Sequence, residues 1–496
     1  MCIRDRIYIH LIAEVLSRGG DVLLLVPEIA LTAQLIERME RIFGSRVTPY
    51  HSKLTNRRRT ETYLRLNRSD GGEFVVGVRS SIFLPLKRLQ LVVVDEEHDA
   101  SYKQADPAPR YNARDCAVVM ARLWGGRTLL GSATPSLETW VNAGSGKYGL
   151  ASLTERYGDA RPPEIFVSDT IRAAKRGERH AHFNKLLLDK MEAALGRGEQ
   201  VMLFQNRRGF APYVECSECG WTARCPHCNV TLTYHKGGGK LVCHYCGYET
   251  PQVHACPSCG SPYIGGFRAG TQQIEQNVKK LFPKARVLRM DGDTTKTKNS
   301  YEEILSAFAA GKADILIGTQ MIVKGHDFPN VTLVGALAAD LSLNAVDYRA
   351  GERTFQLLTQ AVGRAGRGEK PGMAVIQTYH PEHYSIQTAA EQDYGTFYEK
   401  EMDYRRLMGY PPAAELLAIH GAGEDEAHLT QAMEYIRRYL IRIRGNREVQ
   451  IIGPASEAVS KINDLYRMAV YVRAPQEEVL AELREKLERY IEINKG

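Results

Sequence analysis

The chain is 496 residues long, enough for about three domains at roughly 150 residues each. Apolar residues make up 44% and charged residues 25%, a globular balance that excludes a disordered, collagen-like or disulfide-stapled chain. Lys plus Arg number 65 against 58 Asp plus Glu, a net charge of +7 that permits nucleic acid as a partner without requiring it.

A helix is expected over Ile7–Arg18. Arg4, Asp5, Arg6, His10 and Glu14 break any signal-peptide core, and the chain has no apolar run of about 18 residues that could span a bilayer. The expectation is a cytoplasmic protein with no membrane segment. Strands follow at Asp21–Pro27, Glu73–Val78, Leu89–Asp95 and Arg127–Gly131, with a helix over Thr32–Phe43. Continuous Val/Ile/Leu runs such as Leu91–Val94 are the pattern of buried parallel strands.

The third of these strands ends in Asp95-Glu96-Glu97-His98. Two acids there fall at the carboxyl edge of a parallel sheet, where such folds bind ligands. Asp95 would hold the water shell of Mg²⁺ and Glu96 would orient or deprotonate an attacking water; a solvated acidic turn is the plainer alternative. Just beyond, Tyr102 and Tyr111 offer stacking faces and Lys103 and Arg110 offer phosphate contacts, although an ordinary polar loop has the same composition. After the next strand, the hydroxyls of Gly131-Ser132-Ala133-Thr134-Pro135-Ser136 are suited to relaying the state of a phosphate site.

A second α/β series comprises Gln200–Gln205, Ala285–Met290, Asp314–Gly318, Val331–Leu337 and Met373–Thr378, with a helix at Thr271–Leu281. Near 210–265 it is broken by eight of the ten cysteines, in four C-x-x-C pairs: Cys216/Cys219, Cys225/Cys228, Cys243/Cys246 and Cys256/Cys259. Without a secretory signal such pairs point to two closed tetrahedral Zn²⁺ sites; redox motifs or disulfides are the alternative. Fourteen residues separate Cys228 from Cys243, near a ribbon loop, whereas five separate Cys219 from Cys225, a tight loop for one tetrahedron. The inner pairs are therefore expected to share one ion and the outer pairs another. Lys236 and Lys240 flank Gly237-Gly238-Gly239, a basic tip or a plain solvated hairpin.

In the second series, Gly318-Thr319-Gln320 leads to Lys324-Gly325-His326-Asp327, where Gly325 is a candidate nucleotide contact. Gln360, Arg364 and Arg367 follow, with the two arginines expected on one helical face, able to reach a γ-phosphate held by the opposite lobe. From Tyr410-Pro411-Pro412 onward the order changes to β-α-β-β-α, with a long helix near Glu426–Arg444 and strands near Val449–Ile452 and Tyr466–Arg473.

The ordered set Pro27-Glu28-Ile29, Asp95-Glu96-Glu97-His98, Gly131 to Pro135 and Gln360 to Arg367 resembles a superfamily 2 helicase with two RecA-like lobes. The cysteine insert between Asn206-Arg207-Arg208-Gly209 and Gly270-Thr271 narrows the resemblance, as do Ser101 to Gln104 and Arg110 to Asp115. From about Ile7 to the C-terminus the chain is similar to the PriA family of bacterial primosomal helicases. The resemblance implies α/β architecture: a first lobe over 1–168, a second over 169–209 and 266–405, a two-zinc insert over 210–265, and an α+β domain over 406–496. It further implies a 3′→5′ DNA helicase using ATP with Mg²⁺, acting on forked and single-stranded DNA at stalled forks. The implied partners are primosome proteins, single-stranded DNA-binding protein and replicative-helicase loading factors. By the same resemblance Asp95 and Glu96 are the metal- and water-handling acids, Gln360, Arg364 and Arg367 the sensor and finger set, and Tyr102–Arg114 a loop coupling DNA to hydrolysis.

The N-terminus departs from that pattern. The family carries a Gly-Lys-Thr phosphate loop before this first helix, whose N–H groups cradle phosphate. Here Arg4 stands in the Lys position and Asp5 in the Thr position, with no glycine among the first six residues. Arginine is a poor substitute for a point-charge lysine, and Asp5 repels phosphate. The expectation is an N-terminally truncated chain with foreign leading residues, impaired in ATP hydrolysis. A non-catalytic zinc-containing scaffold for DNA and primosome partners is the competing class. An RNA or restriction translocase has similar motif order but no reason for the cysteines.

Overall fold

The computed structural model describes residues 3–494 apart from 28–32, 53, 154–161, 206–214, 217–220, 229, 236–239, 244–245, 263, 266–270, 293, 296–299, 324–327, 344–346 and 369. Glu28, Ile29, Asn206 to Gly209, Cys219, Lys236 to Gly239, Gly270 and Lys324 to Asp327 lie outside these residues, as does the side chain of Cys216. The chain forms two compact units. One comprises Met1–Gln205, Asn277–Ala339 and Phe355–Tyr394; the other comprises Asn206–Gln276, Asp340–Thr354 and Gly395–Gly496.

The first unit holds two parallel sheets. Its first lobe runs α1 (Ile3–Ser17), β1 (Asp21–Leu25), α2 (Ala33–Phe43), β2 (Val47–Tyr50), α3 (Asn56–Arg68), β3 (Phe74–Gly77), β4 (Leu89–Asp95), α4 (Ala113–Leu123), β5 (Arg127–Gly131) and α5 (Leu137–Gly144). The sheet order is β2-β3-β1-β4-β5, all parallel. One face is covered by Tyr8, Ile12 and Leu16 of α1 over Val22, Leu24, Val76 and Val93. The other is covered by Ala113, Ala117 and Ala121 of α4 over Leu23, Leu25, Val92 and Val94. Burial on both faces is why the strands read as unbroken apolar runs. The β1/β4 boundary, where the strand order reverses, sets the ends of β1 and β4 side by side, the usual ligand crevice of such sheets.

The second sheet has the order Val287–Met290, Ile315–Gly318, Gln200–Gln205, Val331–Leu337, Met373–Thr378, Glu164–Asp169, again all parallel. The last of these strands corrects the sequence boundary at 168: Glu164–Asp169 pairs residue for residue with Met373–Thr378 and belongs to the second lobe. Val47–Tyr50 is a further strand that the sequence reading left out.

The second unit contains the cysteine module, with antiparallel strands Thr233–His235, Lys240–Val242 and Glu249–Pro251 and a short pair joining Glu215–Cys216 to Ile264–Gly265. It also contains the C-terminal domain in the expected β-α-β-β-α order: Glu415–Gly423, Glu426–Arg444, Gln450–Ile462, Leu465–Ala474 and Glu477–Ile493. Its two helices bury Leu429, Met433, Leu440, Leu480, Leu483 and Leu487 against the sheet residues Val470 and Val472. No helix among the described residues is long and apolar enough to cross a membrane.

Candidate active site and metal centre

β4 delivers Asp95 to the sheet edge, and the chain turns sharply there. Glu96 has φ 49°, a left-handed conformation that costs a non-glycine residue about 1–3 kcal/mol. The turn is held by Glu97 N–H donating to the Gly131 carbonyl (3.1 Å) and Asp99 N–H to the Glu96 carbonyl (2.8 Å). It points Glu96 toward the second lobe, where Gln360 Nε2 donates to Glu96 Oε2 at 3.0 Å and lies 3.0 Å from His98 Nε2. With Nε2 accepting, His98 carries its proton on Nδ1 and donates it to Ser132 Oγ at 2.7 Å. Ser132 Oγ also accepts from Thr134 N–H at 3.0 Å. One amide thus ties together the acidic motif, the Gly131 to Pro135 motif and the second lobe. His98 stands in its motif without a role in the sequence reading, and Ser132 as one of the relay hydroxyls; the hydrogen bond between them joins the two motifs.

Glu97, 2% exposed, is the second hub. Its carboxylate accepts from Ser136 N–H (2.7 Å), Ser136 Oγ (3.1 Å), Thr139 Oγ1 (2.9 Å) and Arg114 Nη1 (3.1 Å). The sequence signal for it was the third acid of Asp95-Glu96-Glu97, read only as part of a motif.

The leading residues form the start of α1. Arg4 Nη2 lies 2.6 Å from Glu96 Oε1 and 3.1 Å from Asp95 Oδ1, and Tyr8 donates to Asp95 Oδ1 at 3.1 Å. Asp5 pairs with Arg38 at 3.2 Å. Burial pushes Asp95 up to about 6; Arg4 pulls it down and neighbouring Glu96 pushes it further up. Burial opposes ionisation of Glu96 too, but Arg4 outweighs it and holds that carboxyl below its usual range. Asp95 and Glu96 are suitable oxygen donors for Mg²⁺. With the Arg4 guanidinium on both carboxylates, however, the residues present do not fit that ion.

The arginine pair departs from expectation. The helix Ala350–Val362 ends before both, so Arg364 lies in a turn and Arg367 just past it, rather than on one helical face. Gly366, at φ 67°, has no room for a side chain: a Cβ would lie 2.4 Å from the Gly372 amide nitrogen. Arg364 Nε donates to the Val323 carbonyl (2.6 Å), and Arg367 Nε to the Gly363 carbonyl (3.0 Å). Arg364 still contributes to holding Glu96 ionised. Gly325 lies outside the described residues.

The loop after the acidic motif also differs. Tyr102 is 1% exposed, so its ring is not a stacking face. It packs in the core while its hydroxyl donates to the Asp95 carbonyl (2.6 Å), with the Leu25 carbonyl 3.1 Å away. A lone tyrosine among polar residues does not reveal which way it points. Lys103 Nζ donates to the Arg110 carbonyl (2.6 Å), and Arg110 donates to the Ala105 carbonyl (2.8 Å) and pairs with Asp106 (3.1 Å). Tyr111 meets Phe83 edge-on with ring centroids 4.7 Å apart, and Phe83 is 56% exposed. Sequence reading missed Phe83 as an aromatic of this surface.

In the cysteine module, the Sγ atoms of Cys225, Cys228, Cys243 and Cys246 lie within 4.8 Å of one another. A tetrahedron with Zn–S of about 2.3 Å has edges of about 3.8 Å, so the donor set fits Zn²⁺. Each knuckle is closed by backbone bonds, including Cys225 N–H to Val230 O (3.0 Å) and Cys243 N–H to Tyr248 O (2.8 Å). Burial pushes the Cys225 and Cys228 thiols up, so ionised sulfurs there need a cation. Of the outer set, Cys256 is buried and Cys259 exposed, and the pairing Cys216↔Ile264 brings the first cysteine's backbone beside the strand that follows Cys259.

Family models match four stretches of the chain: DEAD/DEAH box helicase over residues 7–142, helicase conserved C-terminal domain over 266–369, PriA DNA helicase Cys-rich region over 225–251, and primosomal protein N C-terminal domain over 406–495. Two parallel-sheet lobes with these matches define a helicase-type core of two RecA-like domains. The chain is 44% identical to replication restart protein PriA of Bacillus subtilis over 98% of its own length and 60% of the relative's. It is 38% identical to PriA of Rickettsia conorii over 95% of its length and 72% of the relative's. Among solved structures it is similar to S. cerevisiae Dbp5 bound to RNA and ADP BeF3, at 13% identity and TM-score 0.43, covering 79% of this chain and 82% of that one. The chain belongs to the PriA family, and it spans about 60% of the length of the Bacillus subtilis relative.

Proposed function

We propose that the chain is the two-lobed motor core of an ATP-dependent 3′→5′ DNA helicase of replication restart, working in the cytoplasm. The observation that carries this reading is the Gln360 contact to Glu96 and His98, which joins the second lobe to the acidic motif of the first. Bound ATP with Mg²⁺ would supply the phosphoryl chemistry. With Arg4 withdrawn from the two acids, Glu96 would orient the attacking water and Asp95 would hold the cation's water shell; Gln360, Arg364 and Arg367 are assigned to sensing the phosphate, and Gly325 to nucleotide contact. Lys103, Arg110 and Tyr111, with Tyr102 acting through its hydroxyl, are assigned to coupling DNA to the site. We assign the inner four cysteines to one zinc and Cys216, Cys219, Cys256 and Cys259 to a second, structural in both cases. The proposed substrates are forked and single-stranded DNA. The proposed partners are primosome proteins, single-stranded DNA-binding protein and loading factors of the replicative helicase.

The Arg4 contacts favour a second reading for this particular chain: a DNA- and primosome-binding scaffold with impaired hydrolysis. ATPase and strand-displacement assays on forked DNA with 3′ or 5′ single-stranded arms, and on RNA duplexes, separate the two. Unwinding from the 3′ arm that is lost in Glu96→Gln supports the motor reading. Fork binding with turnover at the Glu96→Gln background supports the scaffold, and preference for RNA overturns both.

A further inference from the structure

The C-terminal hairpin reaches the cysteine module. Its strands Gln450–Ile462 and Leu465–Ala474 are joined by two residues, Asn463 and Asp464, both left-handed at φ 52° and 63°. That is the two-residue turn whose twist matches antiparallel strands, and Asn and Asp tolerate it. In such a turn the central N–H groups take no part in the ladder and are available to a neighbour. Here Asn463 N–H donates to Cys228 Sγ at 3.3 Å, and Asp464 N–H donates to the His227 carbonyl at 2.9 Å. The Asp464 carboxylate meets His227 Nδ1 at 2.6 Å and Lys461 Nζ at 3.1 Å. Ile462 packs on the apolar cluster around Cys225, Cys228 and Cys243. The contacts come from residues more than two hundred positions away.

We propose that this turn is an outer-shell part of the inner metal site: the Asn463 amide stabilises the Cys228 thiolate, so metal occupancy and docking of the hairpin on the module are linked. A thiolate that accepts an N–H bond is less electron-rich and better accommodated in a buried four-sulfur site, and outer-shell partners typically tune metal affinity about 10–100-fold. Linkage works in both directions, so metal also holds the hairpin in place. The inference rests on metal at the inner cysteines and on nothing in the helicase reading.

Two measurements on the full chain test it. In the first, the hairpin is shortened by deleting Lys461, Ile462, Leu465 and Tyr466, which keeps the Asn-Asp turn but withdraws it by about 7 Å. A chelator is titrated while alkylation of Cys225, Cys228, Cys243 and Cys246 is followed by peptide mass spectrometry. The threshold falls about tenfold in the shortened chain, and with Co²⁺ as probe the sulfur-to-metal charge-transfer band moves to lower energy. Simple loss of packing leaves that band in place. In the second, which needs no variant, removing metal from the natural chain speeds deuterium exchange in peptides containing Asn463 and Asp464. Exchange that ignores the metal overturns the proposal, as does a threshold within about twofold together with an unmoved band. Metal content of the purified chain checks the zinc assignment separately, so a zinc-loaded chain with an indifferent hairpin refutes this linkage alone.

Discussion

Replacing Arg4 by alanine asks whether this cation stands in the way of a divalent ion. Its Nη2 is 2.6 Å from Glu96 and 3.1 Å from Asp95, with about a fifth of each carboxylate side chain exposed. An ion bound by those same oxygens would sit roughly 4 Å from the guanidinium. At an effective dielectric constant of about 20, each unit of its charge meets about 4 kcal/mol of repulsion there. Solvent screening at a partly exposed site reduces this, and about 1.5–3 kcal/mol is a fair expectation. At about 1.4 kcal/mol per decade, Arg4→Ala binds Mn²⁺ at least about tenfold more tightly. The same change removes charge-assisted hydrogen bonds and costs the fold about 1–3 kcal/mol. Tighter ion binding in a less stable protein is the diagnostic pair of signs. Mn²⁺ binding is read by electron paramagnetic resonance near pH 8. Asp95 already sits at about 6 with Arg4 beside it, and its carboxyl moves higher once that cation is gone. Arg4→Ala/Asp95→Ala returns the affinity to its starting level. Unchanged or weaker Mn²⁺ binding in Arg4→Ala refutes the reasoning.

Other substitutions probe the surrounding framework. Arg405 is fully buried, paired with Glu401 at 2.8 Å and Glu352 at 3.1 Å, so Arg405→Met takes the guanidinium from two buried carboxylates and costs about 3–5 kcal/mol. Adding Glu352→Gln and Glu401→Gln recovers more than half of that in urea unfolding, and a single-variant loss under about 1 kcal/mol contradicts it. Glu97→Gln weakens the bond to Arg114 by about 1.5–3 kcal/mol, which accelerates amide exchange in Ala113–Leu123; unchanged exchange counts against the hub. Tyr102→Phe loses its hydroxyl's bond to the Asp95 carbonyl for about 1–2 kcal/mol of stability and leaves affinity for single-stranded DNA unchanged. A several-fold fall in DNA affinity without loss of stability would restore the stacking role.

What was legible in the sequence followed from strong local signals. Leu89–Asp95 and Val331–Leu337 are buried on both faces, and their apolar runs mark them residue for residue. The cysteine spacing pointed to Cys225, Cys228, Cys243 and Cys246 as one set because a tetrahedron needs short knuckles and one intervening ribbon. What was lost belongs to edges and to long-range contacts. Val47–Tyr50 is a four-residue edge strand containing Pro49, a residue that usually argues against a central strand. Glu164–Asp169 mixes polar and apolar residues and acquires its sheet only by pairing with Met373–Thr378, about two hundred positions downstream. Arg364 and Arg367 have helical spacing, but the helix stops at Val362, and Gly363 and Gly366 break its continuation. The role of Asn463 was invisible because a backbone amide leaves no mark in composition.

The loop between Tyr102 and Arg114 supports coupling by a different route from base stacking. Its first residue holds the Asp95 carbonyl through the Tyr102 hydroxyl, and its far end holds the Glu97 carboxylate through Arg114. The two anchors flank Glu96, whose φ of 49° already sets it off the relaxed backbone. Between them the loop folds on itself: Gln104 Nε2 donates to the carbonyls of Pro107 (2.7 Å) and Pro109 (3.1 Å), and Lys103 to that of Arg110. Those internal bonds are exposed, so phosphates that compete for Lys103 and Arg110 would loosen them at little cost, because surface ion pairs and hydrogen bonds are individually weak. Loosening either end changes the restraint on the one residue that faces Gln360 across the lobes. Nucleic acid would then reach the Glu96 carboxylate through one backbone tether and one side-chain tether, with both tyrosines serving as packing elements of the loop rather than as platforms for bases.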